Sequence, residues 1–317
     1  MRSVDVHQHL WPEAVFRVLE RRGAPPKATW AGENWRLDLE GEPSFDVYPR
    51  DHDPDVRAHE LVVDRALVAL SGPAGLEALP ARDALAAIAA WQEAAKQLPD
   101  EHGWWAATPA ALQGDGEAEL ATEAIADGAA GLCLPANRLA TPSEAEHTLT
   151  LLNAVAEAGA PVFVHPGPAQ GGSQTDPAWW SPATRYVAQQ HAAWHSFHAV
   201  IRPQLPTLRA IFAALAGLAP LQAERSTAKG GPDGEQALAD PLTFYDTSSY
   251  GPRAVRAMGT AVGIGQLVHG SDYPVHSQAE DPVEQAFGTG FAQLVKTAAP
   301  NRALGYTWVP AVSEVSA

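Results

Sequence analysis

The chain has 317 residues with 21 Lys+Arg against 37 Asp+Glu, and its net charge of −16 excludes a nucleic-acid binder built on a basic face. Its one cysteine, Cys133, excludes an intrachain disulfide and any multi-cysteine metal site. The opening MRSVDVHQHLWPE carries acid and two histidines where a secretory leader needs an apolar run, and no apolar stretch reaches the about 18 residues of a membrane span, so a soluble, cytoplasmic protein is expected.

Short apolar runs alternate with longer segments of helical period. Val4–His9 reads as a strand, and residues 12–22 follow as a helix with Pro12 near its first turn. Residues 66–71 form a second strand, then 82–98 a helix with apolar Leu85, Ile88, Ala89 and Trp91. Strands at 103–107, 131–134 and 161–165 are interleaved with helices over 117–127 and 143–158, the latter with Ser143 as N-cap. The run PVFVH at 161–165 is a continuous apolar strand of the buried parallel kind. A helix over 183–202 precedes a sixth strand at 208–212. Thr243–Asp246 and 266–271 supply the seventh and eighth, separated by a helix over 253–262, and 283–297 is the last helix. Eight strands each followed by a helix predict an α/β fold, a (β/α)8 TIM barrel forming one domain over 1–317. A doubly wound open sheet is the competing arrangement. One excursion interrupts the alternation at about 24–64. There Trp35 to Leu39 alternates with period two, Gly41 to Pro43 offers turn chemistry, and Phe45 to Tyr48 follows, so a small β-hairpin is expected over the barrel mouth.

The chemistry is densest at strand ends. In Asp5-Val-His-Gln-His9, side chains two apart point the same way, so His7 and His9 face one side near the end of strand one. His165 closes an apolar strand, and Asp272 lies just past strand eight in LVHGSDYP. Strands one, five and eight converge at one mouth of a closed barrel. Three neutral imidazoles and one carboxylate suit a divalent metal and leave a position for water. The bland readings are a chance HxH pair, a satisfied core histidine and a capping aspartate.

DVHQHLWP, PVFVHPG and HGSDYP, in this order, resemble the amidohydrolase superfamily, and within it the amidohydrolase-related branch that includes aminocarboxymuconate-semialdehyde decarboxylase. The resemblance covers nearly the whole chain. It implies a distorted barrel, a homodimer and one divalent metal ion, most often Zn2+, held by His7, His9, His165 and Asp272. Asp272 would also help deprotonate the metal-bound water. Strand four, GLCLPA, has no lysine for a bridged two-metal site. One departure matters: the family usually carries a histidine at the end of strand six, and here Ala214 stands in that place. An alanine moves no proton, and general acid–base help is worth about 10²–10⁴-fold.

Substitutes for that histidine include His191, His195 and His198, one helical stripe that reads equally as a packing face. Gln222 and Glu224 follow strand six, with Glu224 and Arg225 a structural ion pair in the plainer reading; His269 should turn away from the lumen. Trp11, Trp179 and Trp180 suit a flat substrate, Arg138 a carboxylate clamp, and Ser248 and Tyr250 hydrogen bonding to substrate; packing, surface charge and helix capping are the alternatives. The leading expectation is a hydrolase whose metal-activated water attacks an amide, lactone or ester carbon of a small substrate. A metal-dependent, non-oxidative decarboxylase is the alternative, and a catalytically weak ligand-binding barrel the third. Neither nucleic acid nor membrane is expected as a partner.

Overall fold

The computed structural model describes residues 1–70, 72–276 and 280–306, so Ser71, at the end of the expected second strand, lies outside it. Strand β1 (Val4–His9) is followed by helix α1 (Glu13–Glu20) and an antiparallel excursion of β2 (Lys27–Trp30), β3 (Trp35–Asp38) and β4 (Phe45–Val47). The excursion therefore has three strands where two were expected. Its first turn, Ala31 to Asn34, joins β2 to β3 and places Trp30 opposite Trp35. A short helix, α2 (Pro54–Glu60), then leads back to the barrel.

The remaining strands are β5 (Arg65–Ala69), β6 (His102–Trp104), β7 (Leu132–Pro135), β8 (Val162–His165), β9 (Ala210–Phe212), β10 (Thr243–Asp246) and β11 (Leu267–Val268). They pair in parallel as β1–β5–β6 and as β7–β8–β9–β10–β11. Bridges between Ala106 and Leu132 and between Gln8 and Tyr273 join the two sheets edge to edge. Bonds from the Cys133 N–H to Ala106 O and from the His9 N–H to Tyr273 O, both 2.8 Å, complete the ring. The expected barrel forms, with helices between its strands: α3 (Ala81–Ala95), α4 (Gly114–Ala126), α5 (Pro142–His147), α6 (Leu149–Glu157) and α7 (Trp180–Ser196) among them. Period two sorts each strand. Leu67, Cys133, Phe163, Ile211 and Phe244 fill the lumen with Trp105, while Val68, Leu132, Val164 and Phe212 pack outward under the helices.

Two helices depart from expectation. Residues 143–158 divide into α5 and α6, and Thr141 is the cap, accepting from the Glu144 N–H at 3.2 Å. Pro142, already fixed for a first helical position, pushes Ser143 inside the helix. Helix α7 begins earlier than expected, at Trp180, and widens into a π turn over Phe197–Ile201. Among the described residues no helix is long and apolar enough to cross a membrane.

Candidate metal centre

Strand β1 carries a register shift between Asp5 and Gln8. Val4 and Val6 lie in the lumen, yet His7 also faces it, with its ring 5.0 Å from Phe163. An extra residue of this kind re-aims every side chain after it. Asp5 is thereby turned away from the histidines: its Oδ1 accepts from the N–H groups of His7 (3.0 Å) and Ser271 (3.1 Å), and its Oδ2 from Gln8 Nε2. The Val6 carbonyl exposed by the shift accepts from Trp105 Nε1 at 2.9 Å, so the irregularity leaves no orphan.

His7, His9 and His165 then meet at their Nε2 atoms. Nε2 of His7 lies 3.1 Å from that of His9 and 3.1 Å from that of His165. Asp272 Oδ1 stands 3.3 Å from His7 Nε2 and 3.1 Å from His9 Nε2. The four donor atoms all lie within 4.8 Å of one another. The outer nitrogens fix the tautomers. His9 Nδ1 is 3.2 Å from Ala69 O and His165 Nδ1 is 2.9 Å from Pro166 O; a carbonyl only accepts, so each Nδ1 carries the proton. His7 Nδ1 donates to Asp246 Oδ2 at 2.6 Å. The Nε2 lone pairs are thus turned on one another and on a carboxylate, an arrangement that needs a cation at its centre. Edges of this length fit ligands roughly 2 Å from a shared ion, the range for zinc with nitrogen and oxygen. The residues fit a divalent metal, and each ligating imidazole has the acceptor behind it that such sites require.

The electrostatics agree. Burial alone would lower the His7 pKa, but Asp246 and Asp272 outweigh it and raise it, so their negative charge favours a positive charge at His7, which a proton or a bound metal ion can supply. Burial and its imidazole neighbours hold His165 far below the ordinary value. Burial would raise the Asp272 carboxyl, yet His7 and His9 hold it far below the usual carboxylate range. Asp246, unexposed at the end of β10, also accepts from Ser248 Oγ (2.7 Å) and the Ser248 N–H (2.8 Å). Asp272 is reached through a left-handed backbone step (φ +59°), which aspartate tolerates better than most residues. Its neighbour Gly270 is obligatory: a Cβ there would stand 2.0 Å from Asp246 Oδ1 and 2.8 Å from His7 Cβ.

Around the cluster, Trp11 forms a buried wall. Its indole donates to Leu70 O at 2.7 Å, its ring faces His9 at 6.1 Å, and it stacks on His52 at 5.0 Å. Arg57, on α2, is buried and donates to His9 O (2.9 Å), Asp51 O (3.0 Å) and Gln8 Oε1 while lying 4.4 Å over the Tyr273 ring. It ties the ends of β1 and the strand-eight segment to the insertion. Asp246, Arg57 and His52 were missed in the sequence. Only Asp246 left a signal there, as a carboxylate ending the apolar strand TFYD.

Other candidates are placed elsewhere. Arg138 is corrected: both prongs of its guanidinium go to the buried Glu117 at 2.9 and 3.0 Å, so it is a structural partner and not a free clamp. Trp179 is 61 % exposed at the start of α7, edge-on to Trp180, and the fold does not fold it inward. Tyr250 is half-buried just before the helix Pro252–Val262, and burial raises its phenol. That helix is capped by Gly251, while Ser248 serves Asp246. His195 and His198 line a small cavity with Trp194, Ser226 and Pro232, apart from the cluster of His7, His9, His165 and Asp272. Glu224 and Arg225 are both exposed and unpaired among the described residues. His269 turns outward as expected, to 4.0 Å from Asp5. Ala214 follows β9 in a left-handed run.

No family model matches the chain, and no curated protein matches it in sequence. Solved structures do. Metarhizium anisopliae IDCase is 19% identical, with a TM-score of 0.78 over 96% of this chain and 97% of its own. The 5-carboxyvanillate decarboxylase LigW of Sphingomonas paucimobilis is 15% identical, with a TM-score of 0.67 over 96% and 99%. The chain shares the (β/α)8 barrel fold of these structures. A third neighbour, the 5-carboxyvanillate decarboxylase of Novosphingobium aromaticivorans complexed with manganese and 4-hydroxy-3-methoxy-5-nitrobenzoic acid, is 11% identical, with a TM-score of 0.62 over 80% of each chain. At such identities the barrel fold is what the likeness establishes, and the chemistry rests on this chain's own residues. In this barrel the cluster occupies the C-terminal ends of the strands, the face on which (β/α)8 barrels place their active sites.

Proposed function

We propose that the protein is a metal-dependent decarboxylase acting on a small aromatic carboxylate. The observation that carries this is the four-donor cluster, three Nε2 atoms and one carboxylate oxygen, at the mouth of a barrel whose solved neighbours include decarboxylases. A divalent ion, zinc or manganese, when bound there supplies fixed positive charge that orients the substrate's carboxylate. The chain's own groups do the rest. Trp11 offers a flat apolar wall beside His9. Asp246 and the Ala69 and Pro166 carbonyls hold the imidazoles in one tautomer. Asp272 is divided: Oδ1 faces the imidazoles, while Oδ2 accepts from Ser249 Oγ at 3.3 Å and reaches toward solvent. In this reading the bond from the substrate carbon to its carboxylate breaks with the electron pair left on that carbon, and a proton taken from solvent and passed along Oδ2 reaches it, giving R–H and CO2.

This reading displaces hydrolysis as the leading one, since the named neighbours in this fold are decarboxylases, and Asp272 serves proton delivery as well as water activation. The test is to strip the protein, reload it with zinc or manganese, and offer benzoates and hydroxybenzoates while following CO2 release. Turnover abolished by His165→Ala is the expected result. Inert carboxylates together with hydrolysis of lactones or amides would restore the hydrolase reading.

A further inference from the structure

The turn that leaves β10, residues 246–249, touches the cluster twice. Asp246, the last residue of the strand, stands behind His7, and Ser248 holds it with its N–H (2.8 Å) and its Oγ (2.7 Å). Thr247 donates its N–H to Val268 O at 3.1 Å, tying the turn to β11, the strand that leads to Asp272. The next residue, Ser249, then reaches Asp272 itself, its Oγ donating to Oδ2 at 3.3 Å. One serine thus steadies the partner of a donor, and its neighbour meets another donor residue directly.

Ser249 makes that contact from a strained backbone. Its φ is +63°, the left-handed region that an L side chain rarely adopts. A glycine stands two positions on, but Gly251 has φ −83°, which is open to any residue. The left-handed step falls instead on a residue that keeps a hydroxyl. Ser249 is exposed, so packing does not account for its side chain. Strain of this kind persists where the surroundings over-determine it, and it clusters at ligand clamps. Asp272 is anchored by its backbone: its N–H donates to His7 O at 2.8 Å, and its carbonyl accepts from the His276 N–H at 2.9 Å. Those bonds leave the carboxylate to its own side-chain torsions. A carboxylate can ligate a cation with one oxygen or with both. Oδ1 is the oxygen beside His7 and His9, and Ser249 holds the other.

Building on the metal-binding reading of the cluster, we infer that Ser249 is a positioning residue that sets the ion preference of the centre: by holding Oδ2 it keeps Asp272 a one-oxygen ligand. Three imidazoles with a single carboxylate oxygen are a donor set that suits zinc. A second carboxylate oxygen moves the set toward the oxygen-rich sites that suit manganese. Held away from the ion, Oδ2 also stays free for proton transfer.

The experiment is competition of Zn2+ and of Mn2+ against a chromophoric chelator, on the stripped full chain and without substrate. Ser249→Ala and Ser249→Gly both remove the hydroxyl, the first keeping the backbone strain and the second relieving it. Each should lower the preference for Zn2+ over Mn2+ by about three- to tenfold, the range of one net hydrogen bond. Ser249→Asn tolerates the left-handed step and returns a donor, so it should hold the preference within about twofold of the unaltered protein. Equal weakening of both ions by the two hydroxyl-free variants would make Ser249 a structural support and overturn the inference. An unchanged preference would overturn it too. So would a preference lost in Ser249→Ala and kept in Ser249→Gly, which would assign the effect to the backbone. Each of those results leaves the metal reading standing. Failure of the unaltered protein to bind either ion would overturn both.

Discussion

At the scale of single residues, the groups behind the ligands matter nearly as much as the ligands. Asp246 holds His7 by its far nitrogen, and such partners are typically worth 10–100-fold in metal affinity. Asp246→Asn should therefore weaken metal binding by about 10–100-fold in competition with a chelator. His165→Ala should remove stoichiometric metal altogether in elemental analysis. The contrast separates a supporting partner from a ligand. The clustered side chains were legible because strand alternation puts His7 and His9 on one side, and a histidine or aspartate is conspicuous at the end of an apolar run. Asp246 was less so, since a carboxylate ending a strand reads equally as a cap. Arg138 misled for a related reason: its partner Glu117 lies 21 positions earlier, and nothing local announces a pair closed through space. Arg57 joins His9 across 48 positions and was likewise invisible.

At the scale of elements, the turn after β9 is the most strained described segment. Ala214, Leu215, Ala216, Gly217 and Leu218 take φ values of 48°, 49°, 53°, 58° and 63° in succession. A left-handed step costs an L-residue about 1–2 kcal/mol, and only Gly217 escapes it. The run persists because α7 packs against it: a Cβ at Gly217 would stand 2.3 Å from Val187 O. Ala214 is only half-buried, so replacing it sacrifices little packing. Ala214→Gly should stabilise the protein by about 0.5–1 kcal/mol, the strain relieved less glycine's added unfolded-state freedom, as a shift in urea midpoint at unchanged slope. No sequence pattern announced this turn, because alanine and leucine carry no left-handed signature. The barrel strands were visible since each is a short apolar run between helical periods. Strand β2 was not. Its residues Lys27 to Trp30 place only Ala28 fully inward, too little alternation to mark a strand without its partner β3.

At the scale of the molecule, the same closed barrel that gathers the His/Asp cluster also buries a carboxyl that no described residue meets. Glu77, in the loop after β5, has both side-chain oxygens buried and without a partner among the described residues, and its charge acts on the thiol of Cys133 in the lumen. Arg138, whose charge acts on it, is committed to Glu117. Burial accordingly pushes the Glu77 carboxyl up to about 7 from an ordinary 4.5. The sign follows from linkage. Below the unfolded value both states hold the proton and Glu77 costs nothing as a charge. As pH rises from 4.5 toward 7 the unfolded chain ionises first, and above 7 the folded chain must bury the charge. The folded state therefore loses stability across that interval, by an amount on the order of 3 kcal/mol for a group so fully enclosed. Glu77→Gln removes the charge and keeps the shape. The variant should gain stability over the unaltered protein at pH 8, and the difference should shrink steadily on acidification to pH 5, measured by paired urea melts. Taking the difference between the two proteins cancels the opposite contribution of Asp272, whose depressed pKa favours the folded state at high pH and is lost as pH falls. A gain independent of pH would mean that Glu77 finds a hydrogen-bond partner in solution, and that its carboxyl is not the unmet charge the fold encloses.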